Sequence, residues 1–343
     1  MKLKKILSLA CIFTAYSSSL LLAETAIIDR SENAFKLNIT PKDKTQEIVV
    51  IRNYNAKEIA PAKPAKVVIK SDYDFKSAKD DAANIIFSGT AKQDVKITGL
   101  NPATAYMIDT YQNGKKIDSK KYSTLAKEPQ KQSASIAFKD VTDSQIGAIW
   151  MTGDGENRII CVSTDKSVTK PNDGDEYTVG NVGDAKSKLG KSNSFVVYNS
   201  ASATKPNYAL IKELQSNTAY TVQVFEYNGK GESINYLTND SKNNPRTKLT
   251  FMAPPVALEA TAISKDGFQA NWKEMSNIKH FEFDLSTDEK FSSFVDIYQS
   301  ADVGNLDKFE FTELAPGTYY YRIRAVGDKS ISSYSNVIKV TIK

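Results

Sequence analysis

The chain has 343 residues, too many for one β-sandwich of about 100 residues, and its 41% hydrophobic and 25% charged residues exclude a disordered chain. Its formal net charge of +5 includes three lysines among the first five residues, so the rest of the chain has 42 basic residues against 40 acidic ones. This balance excludes the basic face of a nucleic-acid-binding domain, and we expect no nucleic acid partner.

The first 23 residues predict a secretory signal peptide. The three lysines precede an apolar stretch from Ile6 to Leu22, and Ala23 offers a small residue for cleavage. Neither this stretch nor any later one predicts an integral membrane span, which takes about 20 predominantly apolar residues. Lipoprotein anchoring through Cys11 is the alternative, but the apolar run before Cys11 is too short for that signal. We expect an exported protein that is periplasmic, cell-surface or released.

One turn motif occurs three times along the chain. It reads LNPATAY at residues 100–106, LQSNTAY at 214–220 and LAPGTY at 314–319. A leucine that closes one strand, a tight turn and a tyrosine that opens the next strand are typical of the tyrosine corner of Greek-key sandwiches, whose hydroxyl bonds to nearby backbone. The corner tyrosines Tyr106, Tyr220 and Tyr319 therefore predict three sandwiches.

The Leu-x-Pro-x-Thr-x-Tyr pattern, followed by alternating apolar residues, resembles the strand E to strand F signature of fibronectin type III domains. The resemblance covers nearly the whole chain after residue 23. It implies an all-β chain of three tandem immunoglobulin-like or fibronectin type III β-sandwiches. The predicted domains are residues 33–126, which are divergent, residues 133–249, which have enlarged loops, and residues 254–343.

Short linkers are predicted between the copies, at residues 127–132 and 245–255. Pro254 and Pro255 lack backbone donors and favour an extended, stiff conformation, so we expect nearly fixed spacing.

The first copy has no tryptophan to mark its strand B. Residues 65–75 favour a strand C, and residues 84–87 favour the strand that precedes residues 95–99. Asn113-Gly114 predicts a closing hairpin with a type I′ turn, and Asn228-Gly229 predicts the same device in the second copy.

The second copy is longer than the third. Its residues 149–155 and 225–229 resemble a longer variant of the domain that is frequent in surface and secreted proteins of the Bacteroidetes. Trp150 precedes its corner tyrosine by 70 residues, against 47 for Trp272 in the third copy. The surplus is predicted to form extended loops at residues 171–177 and 180–192, which are rich in turn-forming residues.

The third copy matches the resemblance best. Residues 268–272 resemble the family's Trp-bearing strand B, residues 281–285 its strand C and residues 333–337 the opening of its strand G, with residues 338–342 as the final strand. Strand alternation places Tyr319, Tyr321, Ile323 and Ala325 in the core and Tyr320, Arg322 and Arg324 on the outward face.

Residues for common catalytic chemistry are scarce. His280 is the single histidine, and Cys161, in the apolar run 159–162, is the one cysteine left after cleavage at Ala23. Nucleophilic triads need a histidine base, and Cys/His zinc sites need more ligands than these two residues. We interpret Cys161 as a buried small apolar residue and His280 as a strand-edge residue. We expect no enzyme activity and no cofactor.

Two acidic loops raise a calcium hypothesis. Asp154 and Glu156 lie in one loop and Asp173 and Asp175 in another, and carboxylates on flexible turns are calcium ligands. The spacing is not that of an EF-hand, and Asp, Asn and Gly are also ordinary turn residues, so turn formation is the favoured interpretation.

The candidate ligand-binding residues are Tyr320, Arg322 and Arg324. An outward strip of rings and guanidinium groups suits stacking on a sugar or docking of a protein. The alternative is that cross-strand aromatic and charged pairs only stabilise an exposed sheet.

The leading functional hypothesis is a non-catalytic cell-envelope or secreted binding or scaffold protein, which presents its sandwich surfaces to a protein or glycan partner at the cell surface. A mechanical spacer or accessory module that works with a separate carbohydrate-active enzyme is the alternative. An enzyme would need a pocket formed by the loops of the second copy. The partner and the oligomeric state stay open.

Overall fold

The computed structural model describes residues 24–42, 45–61, 71–77, 84–200, 207–276, 278–328 and 330–343. Within these ranges the chain consists of strands and loops, and its helical structure is limited to short 3₁₀ turns at Phe75–Ser77, Ala185–Ser187 and Gly231–Ser233. No helix in the described ranges has the length and hydropathy to cross a membrane. The predicted signal peptide, with Cys11, lies outside the described residues.

The chain divides into two compact units, Met1–Leu125 and Ala126–Lys343. The described strands of the first unit form two sheets, and those of the second unit form four. Each pair of sheets encloses a hydrophobic core, so the prediction of an all-β chain of three tandem fibronectin type III-like sandwiches is confirmed. We call these the first, second and third sandwich.

The first sandwich has the sheet orders β1-β2-β6-β4 and β5-β3-β7-β8. Its strands are β1 (Glu24–Arg30), β2 (Phe35–Thr40), β3 (Glu47–Asn53), β4 (Asp72–Asp74), β5 (Asn84–Gly89), β6 (Gln93–Thr98), β7 (Ala105–Gln112) and β8 (Lys115–Ser123). Apolar side chains at alternate positions of β2, β6 and β7 fill the space between the sheets.

Strand β3 holds the position of strand C in the first sandwich, so the prediction of strand C at residues 65–75 was wrong. β3 pairs with both β5 and β7, and its apolar run at residues 48–51 is buried on both faces. A strand buried on both faces has no alternation, so a period of two does not reveal it. Of the predicted segment, residues 65–70 lie outside the described residues, and β4 pairs in parallel with β6 in the other sheet.

The second sandwich has the sheet orders β13-β10-β9 and β12-β11-β14-β15, and β16 also pairs with β14. Its strands are β9 (Ala134–Lys139), β10 (Ile146–Met151), β11 (Asn157–Ser163), β12 (Ser194–Asn199), β13 (Tyr208–Ile211), β14 (Ala219–Asn228), β15 (Asn235–Tyr236) and β16 (Arg246–Leu249).

The third sandwich has the sheet orders β17-β18-β21 and β20-β19-β22-β23. Its strands are β17 (Ala257–Thr261), β18 (Phe268–Trp272), β19 (His280–Ser286), β20 (Ala301–Asp302), β21 (Lys308–Phe311), β22 (Gly317–Val326) and β23 (Ile338–Ile342). A three-stranded sheet packed on a four-stranded sheet is the fibronectin type III-like arrangement.

The two predicted Asn-Gly hairpins differ. Asn113 and Gly114 join β7 to β8 with φ angles of 51° and 75°, as a type I′ turn requires. At the second position β14 does form a hairpin with β15, but the connection spans residues 229–234 and of Asn228 and Gly229 only the glycine has a positive φ, of 90°, so the prediction of a two-residue type I′ turn was wrong. The Asn228 side chain instead accepts a hydrogen bond from the amide of Glu156, at 2.7 Å.

The predicted linker at residues 127–132 lies against the second sandwich. The Gln132 side chain accepts a hydrogen bond from the amide of Glu226, at 3.0 Å, and donates one to the carbonyl of Leu237, at 2.5 Å. The amides of Gln130 and Lys131 both donate to Asp154. This segment is therefore part of the sandwich and not a free spacer.

Candidate functional site

The corner tyrosines are buried ring anchors. The hydroxyl oxygen of Tyr106 accepts a hydrogen bond from the amide of Asn101, at 2.8 Å, and that of Tyr220 accepts one from the amide of Gln215, at 2.9 Å. Tyr319 differs, because its hydroxyl donates to a carbonyl, that of residue 315, at 2.8 Å. This difference accompanies the leucine-to-tyrosine spacing that is one residue shorter in the third corner.

Both tryptophans lie in sandwich cores. Trp272 packs on Phe281, with ring centroids 5.7 Å apart, and its indole nitrogen donates to the carbonyl of Leu306 at 2.7 Å. Trp150 packs on Tyr198 at 6.2 Å, and its buried indole nitrogen has no hydrogen-bond partner in the described part of the chain. These side chains organise packing.

The outward face of β22 holds the three candidate ligand-binding residues. Side-chain burial alternates along the strand, so Tyr320, Arg322 and Arg324 are half-buried on one face while the residues between them are buried on the other. Their register partners on β19 are Ser286, Asp284 and Glu282. The face therefore sets each arginine opposite a carboxylate.

Arg322 is held by an ion pair and by two aromatic rings. Its Nε and Nη2 atoms each lie 2.8 Å from Oδ2 of Asp284, whose Oδ1 accepts a hydrogen bond from the amide of Ser300 at 2.7 Å. The guanidinium carbon lies 3.8 Å from the ring centroid of Tyr334 and 4.1 Å from that of Phe291. Ion pairing and cation–π attraction together hold this side chain in one orientation.

Arg324 is held by similar contacts one step along the strand. Its Nε donates to Oε2 of Glu282 at 2.6 Å, its Nη2 donates to Oγ of Ser300 at 3.2 Å, and its guanidinium lies 4.9 Å from the Tyr334 ring centroid. The side chain keeps 28% of its exposure, against 25% for Arg322. The strip is thus ordered and still open to contact.

Two serines place Tyr334 over the arginines. The amide of Ser335 donates to the carbonyl of Ile323, and the amide of that isoleucine donates to Oγ of Ser335. Ser332 makes the same reciprocal pair with Ala325. Serine side chains thereby replace strand pairing, so the predicted strand opening at residues 333–337 is a bowed segment ahead of β23.

We call Tyr320, Arg322 and Arg324 the arginine strip. Sequence reasoning missed four residues that contact this strip: Glu282, Asp284, Phe291 and Tyr334. The first two alternate with the apolar residues of the predicted strand C, a signal that was sufficient to place them outward. The two aromatic residues lie in irregular segments, where no periodicity indicates direction.

The long connection between β11 and β12 covers the outer face of the second sandwich. Cys161 and Phe225 on that face form a second buried cluster with Val168 and Leu189 of the connection, and Tyr177 packs against it. The enlarged loops therefore cover this sheet face.

An ion pair lies wholly inside the second sandwich. Arg158 and Glu226 are both 0% exposed, with Nε donating to Oε1 at 3.0 Å and Nη2 donating to Oε2 at 3.2 Å. Oε1 also accepts hydrogen bonds from the Ser133 hydroxyl at 2.5 Å and the Gly153 amide at 2.9 Å. Nη1 of Arg158 has no partner among the described residues.

The first sandwich has a pair of intermediate exposure. Arg52 donates from Nε to Asp109, at 2.8 Å, and from Nη1 to the carbonyl of Ala56, at 2.9 Å. Nearby, a hydrogen bond from Lys116 and another from the Tyr111 hydroxyl lower the pKa of Glu58. In each of the three sandwiches, an arginine–carboxylate pair thus joins neighbouring strands of one sheet.

The calcium candidates each accept hydrogen bonds from nearby chain. Asp154 accepts two backbone amides, Glu156 accepts the amide of Gly229 at 3.3 Å, and Asp173 accepts the amide of Tyr236 at 2.8 Å. Asp175 accepts the side-chain amide of residue 172 and the hydroxyl of residue 177. In the described part of the chain, no three His, Cys, Asp or Glu side chains gather where a metal would bind.

The two residues considered for catalysis lie apart. Cys161 is buried, and desolvation raises the pKa of its thiol well above the ordinary range. His280 begins β19, and its Nδ1 lies 3.7 Å from Oδ2 of Asp302 on the neighbouring strand β20. Cys161 lies in the second sandwich and His280 in the third.

Comparison with known proteins gives the following likenesses. No protein-family model matches the chain, and no curated protein matches it. Among solved structures, it is similar to a two-domain fibronectin type III segment of chicken tenascin, with 12% identity and a TM-score of 0.36, over 61% of this chain and 98% of that one. It is also similar to the FN1–FN3 domains of chicken CNTN1, with 11% identity and a TM-score of 0.24, over 94% of this chain and 98% of that one.

Proposed function

We propose that the chain is an exported, non-catalytic binding protein whose third sandwich presents the arginine strip to a protein partner. The observation behind this proposal is that Tyr320, Arg322 and Arg324 are ordered yet half-exposed on one sheet face. Tyrosine and arginine are enriched among the residues that dominate protein interfaces, and groups already held in place lose little entropy on binding.

The same geometry favours a protein over a glycan. A sugar ring stacks on an exposed aromatic face, but the Tyr334 ring is already contacted by two guanidinium groups and Phe291 is buried. Of these three aromatic side chains, only Tyr320 is left to stack on a sugar, so a protein is the favoured partner.

Export and domain limits form part of the proposal. We infer cleavage after Ala23 and three domains at residues 33–126, 133–249 and 254–343. β1 lies ahead of the proposed limit at residue 33, directly after the cleavage position, and pairs with β2, so we expect the folded part of the first domain to begin at residue 24. N-terminal sequencing of the exported protein tests the cleavage: we expect Glu24 as the first residue, and an unprocessed N-terminus contradicts export by this signal.

Site-specific photo-crosslinking tests the binding surface. A photoreactive amino acid replaces Tyr320 in the full chain, and the matched control replaces Glu310, which is exposed on β21 in the opposite sheet. We expect a discrete protein adduct in producing cells from position 320 and none from position 310. Equal adducts from both positions, or none, contradict the proposal, and glycan-array binding that Tyr320→Ala removes supports a glycan partner instead.

A mechanical spacer that works with a separate carbohydrate-active enzyme is the second candidate function. The direct passage of the chain from β16 into the third core favours it, because Met252 is buried in that core three residues after Leu249 ends β16. Co-purification with a carbohydrate-active enzyme, unaffected by substitutions in the arginine strip, supports the spacer and contradicts the binding surface.

A further inference from the structure

The chain passes directly from the second sandwich to the third between Phe251 and Met252. Thr250 is fully buried in the second corner, where its Oγ1 donates to the carbonyl of Gln215 at 2.7 Å and its amide donates to that of Thr218 at 3.0 Å. Phe251 donates its amide to the carbonyl of Thr142 at 2.9 Å. Met252, the next residue, is 4% exposed and belongs to the core of the third sandwich.

A turn of the third sandwich also reaches the second. Ser330 donates from Oγ to Oδ1 of Asn217 at 3.0 Å. That asparagine lies in the corner of the second sandwich with a φ of 49°, and its amide donates to the carbonyl of Phe251 at 3.0 Å. Asn217 thus belongs to the corner of the second sandwich and contacts both the connecting chain and the third sandwich.

Close packing accompanies this hydrogen bond. Gly327, which follows β22, is buried, and a Cβ built on it comes within 2.6 Å of Cε of Met252 and 3.6 Å of Nδ2 of Asn217. The amide of Gly327 donates to the carbonyl of Ser330 at 2.8 Å, which closes the turn that carries the serine. The backbone of residue 327 therefore packs directly against the Met252 side chain.

We propose that Asn217, Ser330 and Gly327 form a latch that locks the second and third sandwiches into one rigid pair. Domains joined by a flexible linker move relative to each other by default, and rigidity needs both a short connection and a specific contact. This junction has both. The first corner has Ala103 at the matching position, with a φ of 48° and the same amide-to-carbonyl bond to Leu125, so the latch asparagine is specific to the second corner. The inference is independent of what the arginine strip binds.

Distance measurement between two spin labels tests the latch. The labels attach to cysteines that replace Lys166 and Lys265, which are exposed in the second and third sandwich, in the full chain with Cys11→Ser; buried Cys161 stays unlabelled. A Gly-Ser-Gly-Ser insertion after Met252 serves as the flexible reference. For the chain without the insertion, we expect a single distribution of distances between the two labels, with a width at most about half that of the insertion variant.

The latch variants keep the fold. Asn217→Gly tolerates the positive φ and removes the acceptor of Ser330, while Ser330→Ala removes the donor. We expect both variants to broaden the distribution towards that of the insertion, with unchanged cooperative unfolding. An unmodified junction as broad as the insertion overturns the proposal, and so does an unchanged width in Asn217→Gly. Photo-crosslinking at position 320 is read separately, so failure of one proposal leaves the other measurable.

Discussion

The second and third sandwiches each place an arginine directly opposite a carboxylate on a neighbouring strand, but the two pairs differ in their exposure to solvent. Arg158 on β11 faces Glu226 on β14, and Arg322 on β22 faces Asp284 on β19. The first pair is wholly buried, whereas a quarter of Arg322 stays exposed above a buried aspartate.

The difference shows how the surroundings decide what an ion pair does. Around Glu226, the hydroxyl of Ser133 and the amide of Gly153 replace the water that burial removed. Around Arg322, two ring faces shield the charge and leave its edge open. A buried pair of this kind ties chain segments together, and a shielded surface pair keeps a face available for a partner.

The largest effect is expected from Glu226→Ala. This change leaves Arg158 buried without a counter-charge, so we expect a loss of about 3–5 kcal/mol in the free energy of unfolding. Chemical denaturation of the full chain measures it. The double variant Arg158→Met with Glu226→Leu serves as the control, because an apolar pair of similar volume needs no partner. We expect it to be more stable than the single variant, and a single variant within about 1 kcal/mol of the unmodified chain contradicts the account.

Asp284→Ala is expected to have the next largest effect. The aspartate is 1% exposed, pairs with Arg322 and accepts the amide of Ser300, so its removal leaves a partly buried charge and an unpaired amide. We expect a loss of about 2–3 kcal/mol, measured by denaturation. Asp302→Ala on the adjacent strand is the matched control, since that carboxylate is exposed. Equal losses for both variants argue against a special role for Asp284.

Tyr334→Ala removes the ring that covers both arginines. We expect a loss of about 1–2 kcal/mol, because two cation–π contacts disappear at partly exposed positions. Tyr334→Phe keeps the ring and removes only the hydroxyl, so its melting temperature stays close to that of the unmodified chain. If the two variants have the same melting temperature, the aromatic ring contributes no stability and the ion pairs alone hold the arginine strip.

The comparison also separates what sequence patterns predict from what they miss. Alternation along residues 317–326 gave the correct inward and outward faces of β22, since each face sees one environment. The same reasoning failed for β3, whose two faces are both buried, so no alternation exists. The three corners were found because a turn restricts residue types over a few consecutive positions, a local constraint that sequence records directly.

Long-range contacts explain the remaining misses. The linker at residues 127–132 looks polar and free, yet Gln132 is bonded to residues more than 90 positions away. The buried cluster under the β11–β12 connection depends on Val168 and Leu189, isolated apolar residues in a polar segment. Nothing local distinguishes such residues from surface apolar residues, so the closed face of the second sandwich could not be predicted.

The smallest effect is expected from Glu282→Gln, which tests the most exposed pair of the series. The glutamate is 18% exposed and Arg324 is 28% exposed, so water and salt screen their attraction. We expect a loss of at most about 1 kcal/mol that shrinks as salt rises from low to molar concentration, while the Asp284→Ala loss changes less because that carboxylate is buried. Denaturation at two salt concentrations measures both. If the Glu282→Gln loss is as large as that of Asp284→Ala and equally insensitive to salt, solvent exposure does not determine how much each ion pair contributes to the free energy of unfolding.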